Sequence, residues 1–187
     1  DVTIALHTDH CAKQNLDSWT EQLMHMEAEE VKAGRLPWFQ SHMWDGSAIP
    51  LDENLEIAKR LLQLAVDSHT VLEIEVGAVG GEEDGVVGEI NEKLYTSTAD
   101  AIKTVEALGL GEKGRYITAL TFGNVHGAYK PGHVKLRPEL LGTIQEEVAA
   151  HYGLDHRPFD LVMHGGSGST DEEIALAVAN GVIKMNV

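Results

Sequence analysis

Short apolar runs alternate with longer amphipathic stretches along the whole chain. Nearly continuous apolar runs of this length are typical of parallel strands that are covered on both faces. The pattern predicts six buried strands, at residues 2–6, 37–43, 71–76, 116–122, 159–163 and 182–187.

The stretches between these runs have apolar residues at helical spacing and capping residues at several ends. Thr170 with Glu173 predicts a capping box, and Gly153 follows directly after another amphipathic stretch. The pattern predicts one helix with Leu16, Trp19, Leu23 and Met26 on its inner face, and others at residues 51–69, 97–108, 138–152 and 170–180.

This alternation of strands and helices predicts a parallel α/β fold. No linker or change in composition divides the chain, so we expect residues 1–187 to belong to a single domain. An eight-stranded βα barrel needs about 200 residues or more. Six strands therefore leave two alternatives, a doubly wound sheet or a barrel that lacks two strands.

The charge balance narrows the classes of partner. The 187 residues include 14 Lys+Arg and 30 Asp+Glu, a formal net charge of −16 at pH 7. Such acidity disfavours binding to nucleic acid or to an anionic membrane, and no apolar run is long enough for a transmembrane helix. One cysteine, Cys11, excludes an internal disulfide and fits a reducing compartment. No signal peptide is visible, so we expect a soluble cytoplasmic domain or a piece of one.

Three histidines stand just past the ends of predicted strands: His10, His126 and His164. The carboxyl ends of parallel strands share one face, so these imidazoles can converge although they are far apart in sequence. Three imidazoles with an open fourth position form a catalytic zinc arrangement. A single histidine in such a place is more often structural, but three equivalent positions favour a metal site.

Carboxylates occupy neighbouring strand ends. Asp9 precedes His10, and a carboxylate beside a metal site can remove and return a substrate proton. A role in orienting a ligand or capping a helix is the alternative. Asp45 follows the second predicted strand and Glu75 ends the third. There they would hold a second cation or an alternative position of the first, or hydrogen-bond to the ligands of the first.

Glycine-rich segments follow two of the strands. Residues 165–169 lead into the capping residue Thr170, and backbone N–H groups in such a loop can bind phosphate. An ordinary tight turn is the alternative. The acidic segment 80–85 has glycines at both ends, which predicts a hinged loop that carries a carboxylate into the site. Carbonyl groups of the loop at 123–132 could bind a monovalent cation.

Together these motifs resemble class II, metal-dependent fructose-bisphosphate aldolase. The matching segments, in chain order, are LHTDHC, SHMWDGS, LEIEVG, GGEEDG, NEKLYT, FGNVHGAYKPG, HGGSGST and KMNV. The resemblance implies a TIM (βα)8 barrel whose third to eighth strands are the six predicted here. It also implies that the first two strands and everything beyond the eighth are missing.

The resemblance assigns the metal ligands. It implies that His10, His126 and His164 hold the catalytic zinc ion. It further implies that Asp45 and Glu75 serve a second metal position.

The resemblance also assigns roles toward the substrate. Asp9 is implied as the acid/base at the C4 hydroxyl, and Glu83 as the carboxylate that exchanges a proton at the triose carbon. The implied contacts to the dihydroxyacetone phosphate part are Gly127, Gly165, Gly166, Ser167, Asn186 and Val187.

The implied activity is reversible cleavage of fructose 1,6-bisphosphate to dihydroxyacetone phosphate and glyceraldehyde 3-phosphate, in glycolysis and gluconeogenesis, by a homodimer. Three alternatives stay open. The first is an aldolase for another ketose bisphosphate such as tagatose bisphosphate. The second is a zinc hydrolase, which the phosphate loop disfavours. The third is a non-catalytic fragment that binds only metal or a partner chain.

Overall fold

The computed structural model describes residues 2–77, 80–83, 86–88, 95–126 and 136–186, and at 80–83, 86–88 and 125–126 it describes the backbone. The chain divides into two compact units. The first unit is Asp1–Glu75 with Thr104–Ile117, and the second is Val76–Lys103 with Thr118–Val187.

Strands and helices alternate in both units. The strands are β1 (His7–Thr8), β2 (Ser41–Trp44), β3 (Val71–Val76), β4 (Gly80–Glu83), β5 (Val86–Gly88), β6 (Tyr116–Leu120), β7 (Val125–His126), β8 (Leu161–Met163) and β9 (Val182–Met185). The helices are α1 (Lys13–Leu16), α2 (Thr20–Lys32), α3 (Leu51–Ser68), α4 (Thr98–Leu108), α5 (Glu139–Tyr152) and α6 (Asp171–Ala179).

The principal sheet has the strand order β1-β2-β3-β6-β8-β9, and its described pairings are parallel. Met43 lies opposite Glu73 in the first unit, and Met163 lies opposite Met185 in the second. The predicted parallel α/β architecture is therefore confirmed. From one side of this sheet to the other, each strand comes later in the sequence than the strand before it. In a doubly wound sheet the strand order instead reverses at a switch point. This favours the barrel alternative.

The first two predicted strands begin too early in the sequence. Residues 2–6 are not a strand, and Val2 and Ile4 are 89% and 85% exposed. Pairing starts where the Gln40 N–H donates to the Leu6 carbonyl at 3.0 Å. The Phe39 N–H donates to Glu27 and not to a neighbouring strand, and β2 begins at Ser41.

The predicted inner face of the first helix is wrong. Of its four residues only Leu16 is buried, because the chain forms two helices with a break at residues 17–19. The break changes the helical phase. Met24 and Glu27 are therefore buried, while Trp19 and Met26 are 41% and 47% exposed.

The later helices confirm the capping predictions. The hydroxyl of Thr170 accepts from the Glu173 N–H at 3.2 Å, and the Glu173 carboxylate accepts from the Thr170 N–H at 2.8 Å. Helix α5 ends at Gly153, whose φ of 67° is a left-handed conformation that glycine adopts without strain. Within the described residues, no helix has the length and apolarity that a bilayer crossing requires.

A fully buried pair joins α2 to β2. Nε2 of His42 lies 2.7 Å from Oε2 of Glu27, and the Phe39 N–H donates to Oε1 of Glu27 at 2.7 Å. On the other side of the ring, Nδ1 of His42 lies 3.1 Å from the hydroxyl of Thr8. Burial lowers the pKa of His42, and the hydrogen bond with Glu27 opposes this effect without cancelling it.

Because the pKa of His42 is lowered in this pair, we expect acid to destabilise the fold. The unfolded chain binds a proton at His42 more readily than the folded chain does, so the stabilisation is complete above about pH 6.5 and falls as the pH decreases toward the folded pKa. His42→Gln keeps an amide that can donate to Glu27 and removes the titration. Urea unfolding of both proteins between about pH 5 and 8 is expected to show a weaker pH dependence for the variant. An equal pH dependence of unfolding in the parent protein and in His42→Gln would contradict the role given to His42.

Candidate active site

Two carboxylates at strand ends of the first unit lie beside the ring of His10. Oδ2 of Asp45, the residue after β2, lies 3.0 Å from Nδ1 of His10. Oε2 of Glu75, in β3, lies 3.7 Å from the same nitrogen. Parallel pairing of β1, β2 and β3 brings these residues together although Asp45 is 35 positions from His10.

The cluster is buried and acidic. The side chains of Glu75, His10 and Asp45 are 1%, 10% and 19% exposed. Burial is the largest influence on the pKa of Asp45 and would raise it, but hydrogen bonds from His10 and from Ser47 together lower it to about 2. Asp45 is therefore ionised at neutral pH.

An ionised Asp45 selects the tautomer of His10. Nδ1 carries the proton that it donates to the carboxylate, so Nε2 carries the lone pair on the opposite side of the ring. A carboxylate that fixes a histidine in this way is a common support for metal ligation. The second oxygen of Asp45 accepts from the N–H and the hydroxyl of Ser47, at 3.0 and 2.6 Å.

The donor set of this cluster fits a divalent cation. His10 and Glu75 belong to a group of histidine and glutamate side chains that could hold a metal ion. Imidazole nitrogen and carboxylate oxygen are ligands that zinc accepts, and other divalent transition metals accept them too. Two carboxylates against one imidazole leave negative charge that a cation would balance.

Asp9 lies in a different environment from the histidine that follows it. Asp9 is exposed, whereas His10 is largely buried. Asp9 is therefore accessible from solvent, and its role toward substrate stays a prediction.

The second unit places His164 directly after β8. The residue is buried, and its backbone carbonyl accepts from Nδ2 of Asn124 at 3.1 Å. The next residue, Gly165, has a φ of 67° and begins a 3-10 turn at Gly166–Gly168. The glycine-rich segment is thus a structured turn between β8 and α6.

The turn is held against the end of β9. The Gly166 N–H donates to the Asn186 carbonyl at 3.1 Å, and the Asn186 N–H donates to the Met163 carbonyl at 2.9 Å. A Cβ at Gly166 would lie 2.8 Å from Sδ of Met185, so a larger residue would require the Met185 side chain or the turn to shift. Lys184 donates to Oδ1 of Asn186 at 2.5 Å and brings a positive charge to this end of β9.

The amino end of α6 is less favourable to an anion than the sequence predicts. Its first turn contains Asp171, Glu172 and Glu173, whose charges oppose the positive end of the helix dipole. The N–H of Thr170 already donates to Glu173. A phosphate group would therefore depend on the exposed Ser167 and on the turn itself.

Several predicted site residues are described only in part or not at all. The backbone of His126 lies in β7 and that of Glu83 in β4, where Gly81 pairs with His126. Gly127 and Val187 lie outside the described residues. The predicted hinged loop is corrected at residues 80–83, which form β4 because they pair with β5 on one side and β7 on the other.

Sequence reasoning missed two buried asparagines. Nδ2 of Asn54 donates to the Glu75 carbonyl at 2.8 Å, and Nδ2 of Asn124 donates to the His164 carbonyl at 3.1 Å. Asn54 lies in the first turn of α3, and asparagine is a weak helix former, which is the one signal that marks it. Asn124 lies in the FGNVHG segment, where the strand-end pattern marks the histidine and not the asparagine.

Comparison with known proteins gives a consistent result. The family model described as fructose-bisphosphate aldolase class-II matches residues 1–187. The chain is 60% identical to a fructose-bisphosphate aldolase of Streptomyces coelicolor over 189 residues, which cover 100% of this chain and 55% of that protein. It is also 60% identical to a fructose-bisphosphate aldolase of Mycobacterium tuberculosis over 188 residues, with the same coverage.

A solved structure supports the fold. The crystal structure of fructose-bisphosphate aldolase from Campylobacter jejuni superposes with a TM-score of 0.82 at 41% identity, and covers 100% of this chain and 52% of that one. The chain thus spans about half the length of the relatives that it matches. The expected fold class, an incomplete (βα)8 barrel with six strands, is confirmed.

Proposed function

The chain belongs to the class-II fructose-bisphosphate aldolase family, and we propose that the protein containing it reversibly cleaves fructose 1,6-bisphosphate to dihydroxyacetone phosphate and glyceraldehyde 3-phosphate. The observation that carries the proposal is the buried cluster of His10, Asp45 and Glu75 in a chain that matches this family over its full length. The glycine-rich turn after β8 supports a phosphorylated substrate.

We propose that the metal is zinc and that His10, His126 and His164 are its ligands. The buried His164 directly follows β8, and Glu75 lies near the carboxyl end of β3, so each occupies a strand-end position in its own unit. Glu75 serves a second metal position. Asp45 was predicted beside it in that role, but its contact with Nδ1 of His10 supports a role in orienting that ring.

A divalent cation held there supplies Lewis-acid polarisation of the ketose carbonyl and offsets the negative charge that develops during cleavage. The chain's own residues move the protons. Asp9 removes the proton of the C4 hydroxyl, the C3–C4 bond breaks, and C4 becomes the aldehyde of glyceraldehyde 3-phosphate. The electron pair remains on the three-carbon part, and Glu83 delivers a proton to C3. The exposure of Asp9 supports its access to substrate.

Phosphate binding is assigned to the turn that joins β8 to α6. Gly165, Gly166 and Ser167 would contact the phosphate of the dihydroxyacetone phosphate part, with Asn186 beside them. Lys184 supports this role because it brings positive charge to an acidic protein. Gly127 and Val187 complete the proposed substrate contacts.

We further propose an oligomeric state, a second kind of bound cation and a cellular location. Family resemblance is the basis for a homodimer, and the carbonyl groups of the loop at residues 123–132 are the basis for a monovalent cation. The single cysteine and the net charge of −16 support a cytoplasmic protein whose partners include neither nucleic acid nor membrane.

The function is tested with the complete protein and purified sugar bisphosphates. Release of glyceraldehyde 3-phosphate from fructose 1,6-bisphosphate is expected, and a chelator should abolish it until zinc is restored. Tagatose bisphosphate is the control, because it differs in configuration at C4. A preference for tagatose bisphosphate would show that the proposed substrate is wrong. Ester hydrolysis without carbon–carbon cleavage would show that the proposed reaction is wrong.

A further inference from the structure

The backbones of two proposed metal-binding residues are held by buried asparagine amides. The side chain of Asn54 is 2% exposed and that of Asn124 is 1% exposed. Each donates from Nδ2 to a backbone carbonyl, Asn54 to Glu75 and Asn124 to His164. The same arrangement thus occurs once in each unit of the chain.

The other end of each amide is also fixed. Oδ1 of Asn54 accepts from the indole N–H of the fully buried Trp44 at 2.8 Å. Space for this side chain depends on Gly46, since a Cβ there would lie 2.2 Å from Cγ of Asn54. The amide therefore ties α3 to β2 and to the carboxyl end of β3.

Asn124 is fixed in a similar way. Its Oδ1 accepts from the N–H of the buried Phe122 at 3.0 Å. The Phe122 carbonyl in turn accepts from the Arg137 N–H at 2.9 Å. One amide therefore ties the segment after β6, which leads to the backbone of His126, to the carbonyl of His164.

The choice of asparagine follows from these contacts. Each site needs one donor and one acceptor on a short, neutral side chain. Aspartate has no donor when ionised, and its charge would face a carbonyl oxygen in a buried site. A side chain without polar atoms would leave a buried N–H and a buried carbonyl without their bonds, which is costly.

We propose that Asn54 and Asn124 are positioning residues for metal binding, which act by fixing the backbones of Glu75 and His164. The proposal rests on the metal site of the proposed function. Residues that support metal ligands typically change metal affinity by about 10–100-fold when they are replaced.

The fold offers a matched control in Gln145. This side chain is 1% exposed, and its amide both accepts from the Phe159 N–H at 3.0 Å and donates to the Phe159 carbonyl at 2.9 Å. Phe159 lies before β8, whereas His164 lies after it. Gln145 and Asn124 therefore fix opposite ends of the same strand with equivalent chemistry.

The experiment compares Asn54→Ala, Asn124→Ala and Gln145→Ala in the complete protein. Zinc affinity is measured by competition with a chelator, and urea unfolding is measured without metal. All three variants are expected to unfold at lower urea concentrations. The dissociation constant for zinc should rise about 10–100-fold in the two asparagine variants and stay near the parent value in the glutamine variant. Should an alanine variant fail to fold, Asn→Ser at the same position retains a hydroxyl and is measured instead.

The outcomes are distinguishable. Parent-like zinc affinity in the folded asparagine variants would overturn the positioning role, as would an equal loss in Gln145→Ala. If the unsubstituted complete protein binds zinc but cleaves no sugar bisphosphate, the proposed function is refuted. The comparison of zinc affinities still tests the positioning role of Asn54 and Asn124 in that case. A parent without zinc binding would overturn both.

Discussion

Replacing His164 with alanine in the complete protein is expected to abolish zinc binding and aldol cleavage together. His164 is fully buried directly after β8, and its backbone is fixed by Asn124. A neutral imidazole in a buried strand-end position has the chemistry of a zinc ligand. Loss of a ligand should weaken binding more than loss of a supporting residue, which costs about 10–100-fold.

The measurement is zinc content and chelator competition, with aldol cleavage assayed in parallel. His151→Ala is the control, because His151 is an exposed histidine on α5 in the same unit. It should retain zinc and activity. A buried substitution also lowers stability, so urea unfolding of the metal-free proteins must show that His164→Ala is folded. Stoichiometric zinc in the folded variant would contradict the ligand assignment.

The sequence pattern predicts the carboxyl end of β3 correctly. Its apolar run is continuous and has partners on both sides, so the predicted and observed bounds agree at residues 71–76. Glu73 and Glu75 interrupt that run at a spacing of two, which places both on one side of the strand. Both are buried, and carboxylates in such a position are typical of a functional site.

Other features depend on contacts that no local pattern contains. The break before α2 changes which residues face inward, and a hydrophobic pattern read across it gives Met26 the wrong environment. The tautomer of His10 depends on Asp45, 35 positions away. The role of Asn124 depends on the carbonyl of His164, 40 positions away. Every residue has a backbone carbonyl, so the residue type at the accepting position does not reveal that a side chain donates to it.

The second large effect is expected from Asp9→Asn, which should leave zinc affinity unchanged and lower kcat for aldol cleavage by about 10²–10⁴-fold. Asparagine has nearly the shape of aspartate but cannot accept the C4 hydroxyl proton. The environments of Asp9 and His10 support this separation, because Asp9 is exposed while His10 contacts Asp45 and Glu75 in a buried cluster. The two adjacent residues should therefore lose different functions when they are replaced.

The matched control is Asp17→Asn, which removes another exposed carboxylate of the same unit at the break between α1 and α2. It should match the parent in kcat, KM and zinc content. Unchanged turnover would refute the acid/base role. Loss of zinc together with activity would instead mean that Asp9 supports the metal, because proton transfer by itself does not alter the affinity of a site for its ion.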